Sequence, residues 1–358
     1  MAIAKKQKVF VGLSGGVDSA TSAALLLKDG YDVVGAFITI TVEGYPCTAG
    51  ADRLDAMRAA AHLKIPFVEI DLSKEYQKRV FKESIKEFER GRTPNPDTLC
   101  NREIKFGLFY EWAIAQGANM VATGHYAQIK EGELYAGADE NKDQSYFLWA
   151  VPQGVLQHVL FPIGHMHKND VRKLAAAFGL PQAERKDSQG LCFLGPISVG
   201  DMLKKELNPK PGTVLNEAGE AIGTHEGALL YTMGQRHGFV LAHQGPDARP
   251  HYAIAKNLEA NTITVSENKF PAGASKTKLT LVDTNWISSA AEAAEDEGLF
   301  VRYRYRQELI PATLQRTGLG RAEVVLLEPH YAPLGQSLVV YKQQQCLGGG
   351  VIQDSSVY

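Results

Sequence analysis

The sequence predicts an α/β protein: a doubly wound, mostly parallel sheet over residues 1–196, a small central domain over 197–275 and a C-terminal β-barrel-like domain over 276–358. Three observations carry this. Strand-length apolar runs alternate with helix-length amphipathic segments from Val9 to Phe178, the pattern of crossover connections in a parallel sheet. A glycine-rich turn joins the first strand to the first helix. Beyond Pro196 the alternation gives way to short, turn-rich segments, and from Lys278 to Tyr358 the pattern is all β.

In chain order, Val9-Phe10-Val11 reads as a buried strand, Ala20–Lys28 as a helix ended by Gly30, and Asp32–Ile40 as a second strand. Arg53–Leu63 is a helix and Pro66–Ile70 a third strand. Ser73–Arg90 is a long charged helix with Ser73 as N-cap, and a further helix starts near Glu103 and runs to Gln116. Met120–Thr123 is a fourth strand leading into Gly124-His125-Tyr126. Lys168–Phe178 and Val199–Leu207 complete the expected helices. Ligands of such sheets lie at the carboxyl ends of the strands, so Phe37–Ile40 either line an adenine pocket or simply pack the core.

With 358 residues, 44% hydrophobic and 22% charged, the chain is long enough for two or three domains with ordinary soluble composition. The net charge of -2 offers nucleic acid no global attraction, so any such binding rests on local patches. The start Met1–Lys8 is basic without a signal-peptide core, and no run is long enough to cross a bilayer, which points to the cytoplasm and away from membranes. Four cysteines (Cys47, Cys100, Cys192 and Cys346) are too sparse for a disulfide scaffold and lack a zinc spacing, so an important one is reactive rather than structural.

The turn Gly12-Leu13-Ser14-Gly15-Gly16-Val17-Asp18-Ser19 is built to hold phosphate. Its glycines let backbone N–H groups approach an anion, the following helix dipole favours that charge, and Ser14 and Ser19 add hydroxyls. It is neither a Walker A loop nor a dinucleotide fingerprint. The loop Gly91–Asn101, stiffened by Pro94 and Pro96, carries Asp97 and Cys100 three residues apart, on one face of a turn entering a helix. There the dipole favours thiolate, although a capping aspartate and a buried cysteine fit equally. Cys192 lies in a short apolar run after charges and alone reads as a core residue. Gly223–Gly227 and Thr232–Gly238 bring His225, Glu226 and His237 together, yet their glycines favour a recognition surface over metal ligation. Arg302, Arg304 and Arg306 alternate with Tyr303 and Tyr305, so on a strand the arginines share one face, suited to phosphates or solvent.

Ser14-Gly15-Gly16-Val17-Asp18-Ser19 after a strand is the signature of the PP-loop ATP pyrophosphatases. Nearly the whole chain resembles the tRNA-specific 2-thiouridylase family (MnmA/TrmU). The likeness extends through Gly91–Asp97 with Cys100-Asn101, Ile104-Lys105-Phe106, Ala122–Tyr126, Lys142–Leu148, Lys186-Asp187-Ser188 with Cys192-Phe193, Gly234-Gln235-Arg236, Arg304–Gln307 and Cys346–Gly350.

The resemblance implies an adenine nucleotide alpha hydrolase-like fold and 2-thiolation of the wobble uridine of lysine, glutamate and glutamine tRNAs. It implies ATP at Gly12–Ser19 (Gly12, Leu13, Ser14, Gly15, Gly16, Val17, Asp18, Ser19), with Ile38 and Gly124 near the adenosine and Mg²⁺ as counter-ion. It implies a persulfide on Cys192 delivered by a sulfur-donor protein, a cysteine desulfurase or relay protein. Cys100 then attacks that persulfide or liberates sulfide, leaving a disulfide, and Asp97 is acid or base beside the target. Asn95, Pro96 and Asp97 are implied at the flipped base, and His125, Lys142, Asp143, Gln144, Arg304, Tyr305 and Gln336 at tRNA. Cys47 and Cys346 are taken as structural. No resident metal site is expected, and an iron–sulfur cluster on Cys100, Cys192 and Asp97 is the less favoured alternative, since it offers only two thiols.

Two departures stand out: Ile38–Gly44 replaces a run of acids that many relatives carry, and Gln189-Gly190-Leu191 replaces a more usual Thr-Gly-Ile. Competing readings are an AMP-transferring synthetase acting on a small molecule, which needs neither cysteine, and a tRNA-binding protein without catalysis.

Overall fold

The computed structural model describes residues 6–46, 49–185, 197–242, 249–270, 272–288 and 298–358. Strands β1 (Lys8–Gly12), β2 (Asp32–Thr39), β3 (Phe67–Asp71) and β4 (Met120–Ala122) pair in parallel in the order β3-β2-β1-β4, with the short strand Val159–Leu160 beside β4. Central β1 explains its unbroken apolar run. Val9 and Val11 face a cluster with Ala23, Leu26, Ala56 and Ala60 of helices α1 (Val17–Lys28) and α2 (Ala49–Leu63). Phe10 faces the opposite cluster, with Tyr76, Val80, Ile104 and Phe109 from the helices over 73–89 and 96–115. Both sheet faces are therefore covered, as a doubly wound sheet requires.

Helix starts differ from the sequence reading. Ser73 is the first helical residue rather than the N-cap: Asp71 Oδ1 accepts its N–H at 2.9 Å, and Ser73 Oγ accepts the Thr41 N–H at 2.9 Å. The helix expected near Glu103 begins at Pro96, because Asn95 caps it by accepting the Thr98 N–H at 3.2 Å and Pro96 supplies a pre-set first position. Asp97 is thus a first-turn acid, not the cap. Immediately after Cys100 the helix widens into a π turn over Asn101–Leu108.

The second unit is a five-stranded mixed sheet around Val214, Tyr231, Ile263 and Val265. The third is a barrel of six described strands, closed where Thr277–Trp286 pairs with both Arg321–Leu326 and Gln345–Val357. A hairpin absent from the sequence reading, Ala127–Lys130 with Glu133–Ala136, leaves the first unit and joins the start of the barrel strand Gln345–Val357 through Tyr135 opposite Gln345. Its strands are four residues each, too short for periodicity to reveal.

The expected arginine stripe does not form. Its strand ends at Arg302, and Arg306 takes a left-handed φ of 60°. Arg302 is buried, pairing with Asp143, and it also donates to Tyr341 Oη at 2.8 Å and Ser145 Oγ at 3.1 Å. Asp143 accepts the N–H groups of Gly137 and Ser145 at 2.9 and 3.0 Å. This buried pair locks the barrel onto the first unit. Cys346 lies fully buried nearby, its thiol pushed up to about 12 by burial. Asp143→Ala strands the guanidinium and is expected to cost about 3–5 kcal/mol by denaturant titration, while Asp143→Leu combined with Arg302→Met costs far less.

Candidate functional site

The glycine turn hangs from β1 by its backbone. Leu13 N–H donates to Ala36 O of β2 at 2.7 Å, and the Leu13 side chain is buried against Gly35. Gly15 has φ +76°, open to glycine and strained for other residues. Ser19 Oγ takes the Ser14 N–H at 3.1 Å and donates to Gly16 O at 3.2 Å, closing the turn on itself. Gly16 is the N-cap of α1 and offers no capping side chain, so the first N–H groups of this 12-residue helix face the turn. Val17 turns inward to pack with Ala20, Ala24 and Leu180. The set fits a pyrophosphate: uncapped helix N–H groups, an exposed Ser14 and close-approach glycines.

Asp18 does not point at that anion site alone. Lys168 Nζ reaches both its carboxylate oxygens at 2.7 Å, and Tyr126 Oη donates to Oδ1 at 2.8 Å. Lys168 is itself buried at the start of the Lys168–Ala177 helix. From sequence Tyr126 reads as part of the strand end Gly124-His125-Tyr126, and Lys168 only as a helix start. Gly124 lies over this corner, and a Cβ there would stand 2.7 Å from Ser19 N and 2.8 Å from the Asp18 carbonyl carbon. Ile38 is half-buried near the carboxyl end of β2.

Next to Gly124, His125 turns inward. It is buried between Phe106 and Phe161, with ring centroids at 5.8 and 5.7 Å, and its Nδ1 lies 2.6 Å from Thr123 Oγ1. Burial, then the charge of Lys105, holds its pKa well below the usual histidine range. His125 thereby links the turn to the helix over 96–115. Cys100 is fully buried on that helix, less than two turns from Phe106. Asp97 is half-exposed, one turn earlier.

The loop before this helix is gripped by all three units. Thr93 N–H donates to Leu334 O of the barrel at 2.7 Å, and Thr93 Oγ1 lies 3.4 Å from Thr232 Oγ1 of the central unit. Gly91, at φ +74°, packs beside the Leu258 side chain. Asn101 Nδ2 donates to Phe147 O at 3.0 Å, and the Phe147 ring packs on Tyr305 at 4.8 Å. Gln336 Oε1 accepts Tyr146 Oη at 3.1 Å. Gln144 Oε1 accepts the Tyr126 N–H at 3.0 Å. Arg304 is exposed, and Lys142 and Tyr305 are half-buried. Asn95, Pro96, Asp97, Tyr305 and Gln336 thus converge around the helix start. Cys192, Cys47 and Lys186–Ser188 lie outside the described residues. His225 is a core residue whose Nδ1 accepts the Gly227 N–H at 2.9 Å, so it does not join a recognition surface or a metal site.

A parallel sheet whose first strand enters this serine–glycine turn defines a nucleotide-binding PP-loop protein of the ATP-utilising kind. Residues 7–196 match the tRNA methyl transferase HUP domain, 200–267 the tRNA methyl transferase PRC-barrel domain and 276–352 the aminomethyltransferase beta-barrel domain. The chain belongs to the tRNA-specific 2-thiouridylase family (MnmA), whose members are tRNA sulfurtransferases. It is 40% identical over 355 residues to the Bacillus subtilis tRNA-specific 2-thiouridylase, covering 97% of this chain and 95% of that one. With the Nitrosomonas eutropha relative it shares 39% over 361 residues, 98% and 99% of the two chains. A solved 4-thiouridine synthetase in complex with RNA and ATP aligns at a TM-score of 0.35 and 18% identity, over 56% of this chain and 49% of that one. Gly124→Ala pushes on Asp18 and Ser19 and is expected to weaken ATP binding about tenfold or more by calorimetry, whereas Gly154→Ala, with open space at its Cβ, leaves it unchanged.

Proposed function

We propose that the protein thiolates C2 of the wobble uridine in the tRNAs for lysine, glutamate and glutamine, using ATP to activate the base and a cysteine persulfide to supply sulfur. The observation that carries this is the helix over 96–115. It bears Asp97 and Cys100 at its start and abuts the glycine turn through Phe106, His125 and Phe109, while three units grip the loop before it. The relatives' activity supports the reaction, and the tRNA set follows the family resemblance.

The C2 carbonyl oxygen is a poor leaving group, so it attacks the α-phosphorus of ATP, the α–β phosphoanhydride bond breaks, and pyrophosphate leaves. The α1 N–H groups and the Gly15–Gly16 turn hold that pyrophosphate, and Lys168 neutralises Asp18 so that no free carboxylate faces it. Mg²⁺ accompanies ATP as counter-ion.

Cys192 carries the persulfide. The Cys100 thiolate attacks the Cys192 sulfur, the S–S bond of the persulfide breaks, and its terminal sulfur leaves as hydrosulfide. Hydrosulfide adds to C2, and the C–O bond to AMP breaks. The Cys100–Cys192 disulfide that remains is reduced by a dithiol. Asp97, half-exposed beside the base site, serves the proton transfers. A wobble base already lies in a loop, so extruding it costs less than from a duplex. Asn95 and Pro96 face it, and Lys142, Gln144, Arg304, Tyr305 and Gln336 meet the tRNA. A cysteine desulfurase or sulfur-relay protein loads Cys192 in the cytoplasm. A cluster on these thiols stays the weaker alternative, for want of ligands.

Incubating the protein with ATP, Mg²⁺, unmodified glutamate tRNA and a persulfide donor is expected to yield 2-thiouridine by nucleoside mass spectrometry. Cys100→Ser and Cys192→Ser each lower that yield by roughly a hundredfold or more, and Cys192→Ser retains thiolation when sulfide is supplied. Full activity of both serine variants with the persulfide donor contradicts the relay, and no mass gain with sulfide contradicts catalysis.

A further inference from the structure

Gly15 is the crest of the glycine turn, and its carbonyl oxygen does not face open solvent. It accepts Nη1 of Arg185 at 2.8 Å. The same guanidinium pairs with Asp52 and, at 2.6 Å, with Asp55, both on α2. Asp55 also receives Arg58 at 3.0 Å. The Arg185 backbone is fixed in turn: Arg172 Nη1 donates to Arg185 O at 2.9 Å and to Ala183 O at 3.1 Å. Arg172 sits on the same helix as Lys168, which holds Asp18 at the other end of the turn. One helix therefore reaches both ends of the turn, directly through Lys168 and through Arg185.

The physical need is specific. A peptide beside a left-handed glycine can rotate, and rotation of the Gly15 peptide would turn its carbonyl dipole toward a bound anion. A guanidinium presents its donors in a fixed plane, so it serves a main-chain acceptor and two carboxylates in one set geometry, whereas the three donors of an ammonium rotate freely. The two carboxylates hold the fork in place, and with Arg58 on Asp55 two guanidinium charges balance the two acids. A surface ion pair built for stability alone has no reason to include the turn.

We propose that Arg185 is a positioning residue for the phosphate site, holding the Gly15 carbonyl turned away so that the following N–H groups stay presented to the pyrophosphate of ATP. This rests on the ATP reading above. Arg185→Ala is expected to weaken binding of inorganic pyrophosphate and of ATP by about tenfold, the worth of one hydrogen bond to a charged donor. Its tRNA affinity stays at the wild-type level, and its melting temperature falls by no more than about 4 °C. Arg185→Lys restores part of the loss, and Arg185→Gln, similar in length and uncharged, is measured beside them in case the alanine variant folds poorly. Calorimetry with inorganic pyrophosphate reads the effect without involving the cysteines. Pyrophosphate affinity within twofold of wild type in the alanine and glutamine variants overturns the proposal alone, as does an equal loss of tRNA and pyrophosphate affinity. Wild-type protein that binds neither ATP nor pyrophosphate overturns the ATP reading and this proposal with it.

Discussion

Lys168 places its ammonium on both oxygens of Asp18 at 2.7 Å, and the nucleotide turn depends on that contact. An acid in the first turn of α1 suits the helix dipole, yet a bare carboxylate there would repel any phosphate the dipole attracts. Pairing it with a buried lysine keeps the first-turn acid and removes the repulsion. Tyr126 adds a third donor to the same carboxylate, and Gly124 closes over the corner with no room for a side chain. The end of β4 is thereby pinned to the start of α1, and every residue packed behind β4 inherits that position.

From this corner the packing runs inward to the thiol. Gly124 leads to His125, His125 lies between Phe106 and Phe161, and Phe106 shares its helix with Cys100. The start of that helix is held from three sides, by Leu334 of the barrel, by Thr232 and Leu258 of the central sheet, and by Phe147 of the first unit. The buried Arg302–Asp143 pair fixes the barrel that supplies one of those sides. Glycine turn, helix and barrel form one continuous packed body.

Much of this was legible in the sequence. Strand–helix alternation gave the parallel sheet because central strands buried on both faces read as plain apolar runs, and β1 is such a strand. The serine–glycine turn was legible because its chemistry is local, set by residues adjacent in the chain. Contacts between residues far apart in the chain were not legible. Lys168 meets Asp18 across 150 positions, and Arg302 meets Asp143 across 159. Asp143 and His125 were placed at tRNA by the family resemblance alone, and nothing local in the sequence showed that folding buries one against an arginine and the other between aromatic rings. The arginine stripe failed because alternation predicts a shared face only while a strand persists, and this one stops at Arg302.

The central claim is that ATP is spent on the uridine oxygen itself. A tRNA labelled with oxygen-18 at C2 of the wobble uridine, turned over with ATP and a sulfur donor, tests it by mass spectrometry of the released nucleotide. The account predicts that the heavy oxygen leaves in AMP, in step with 2-thiouridine formed. Heavy oxygen recovered in water or inorganic phosphate, with unlabelled AMP, would contradict it.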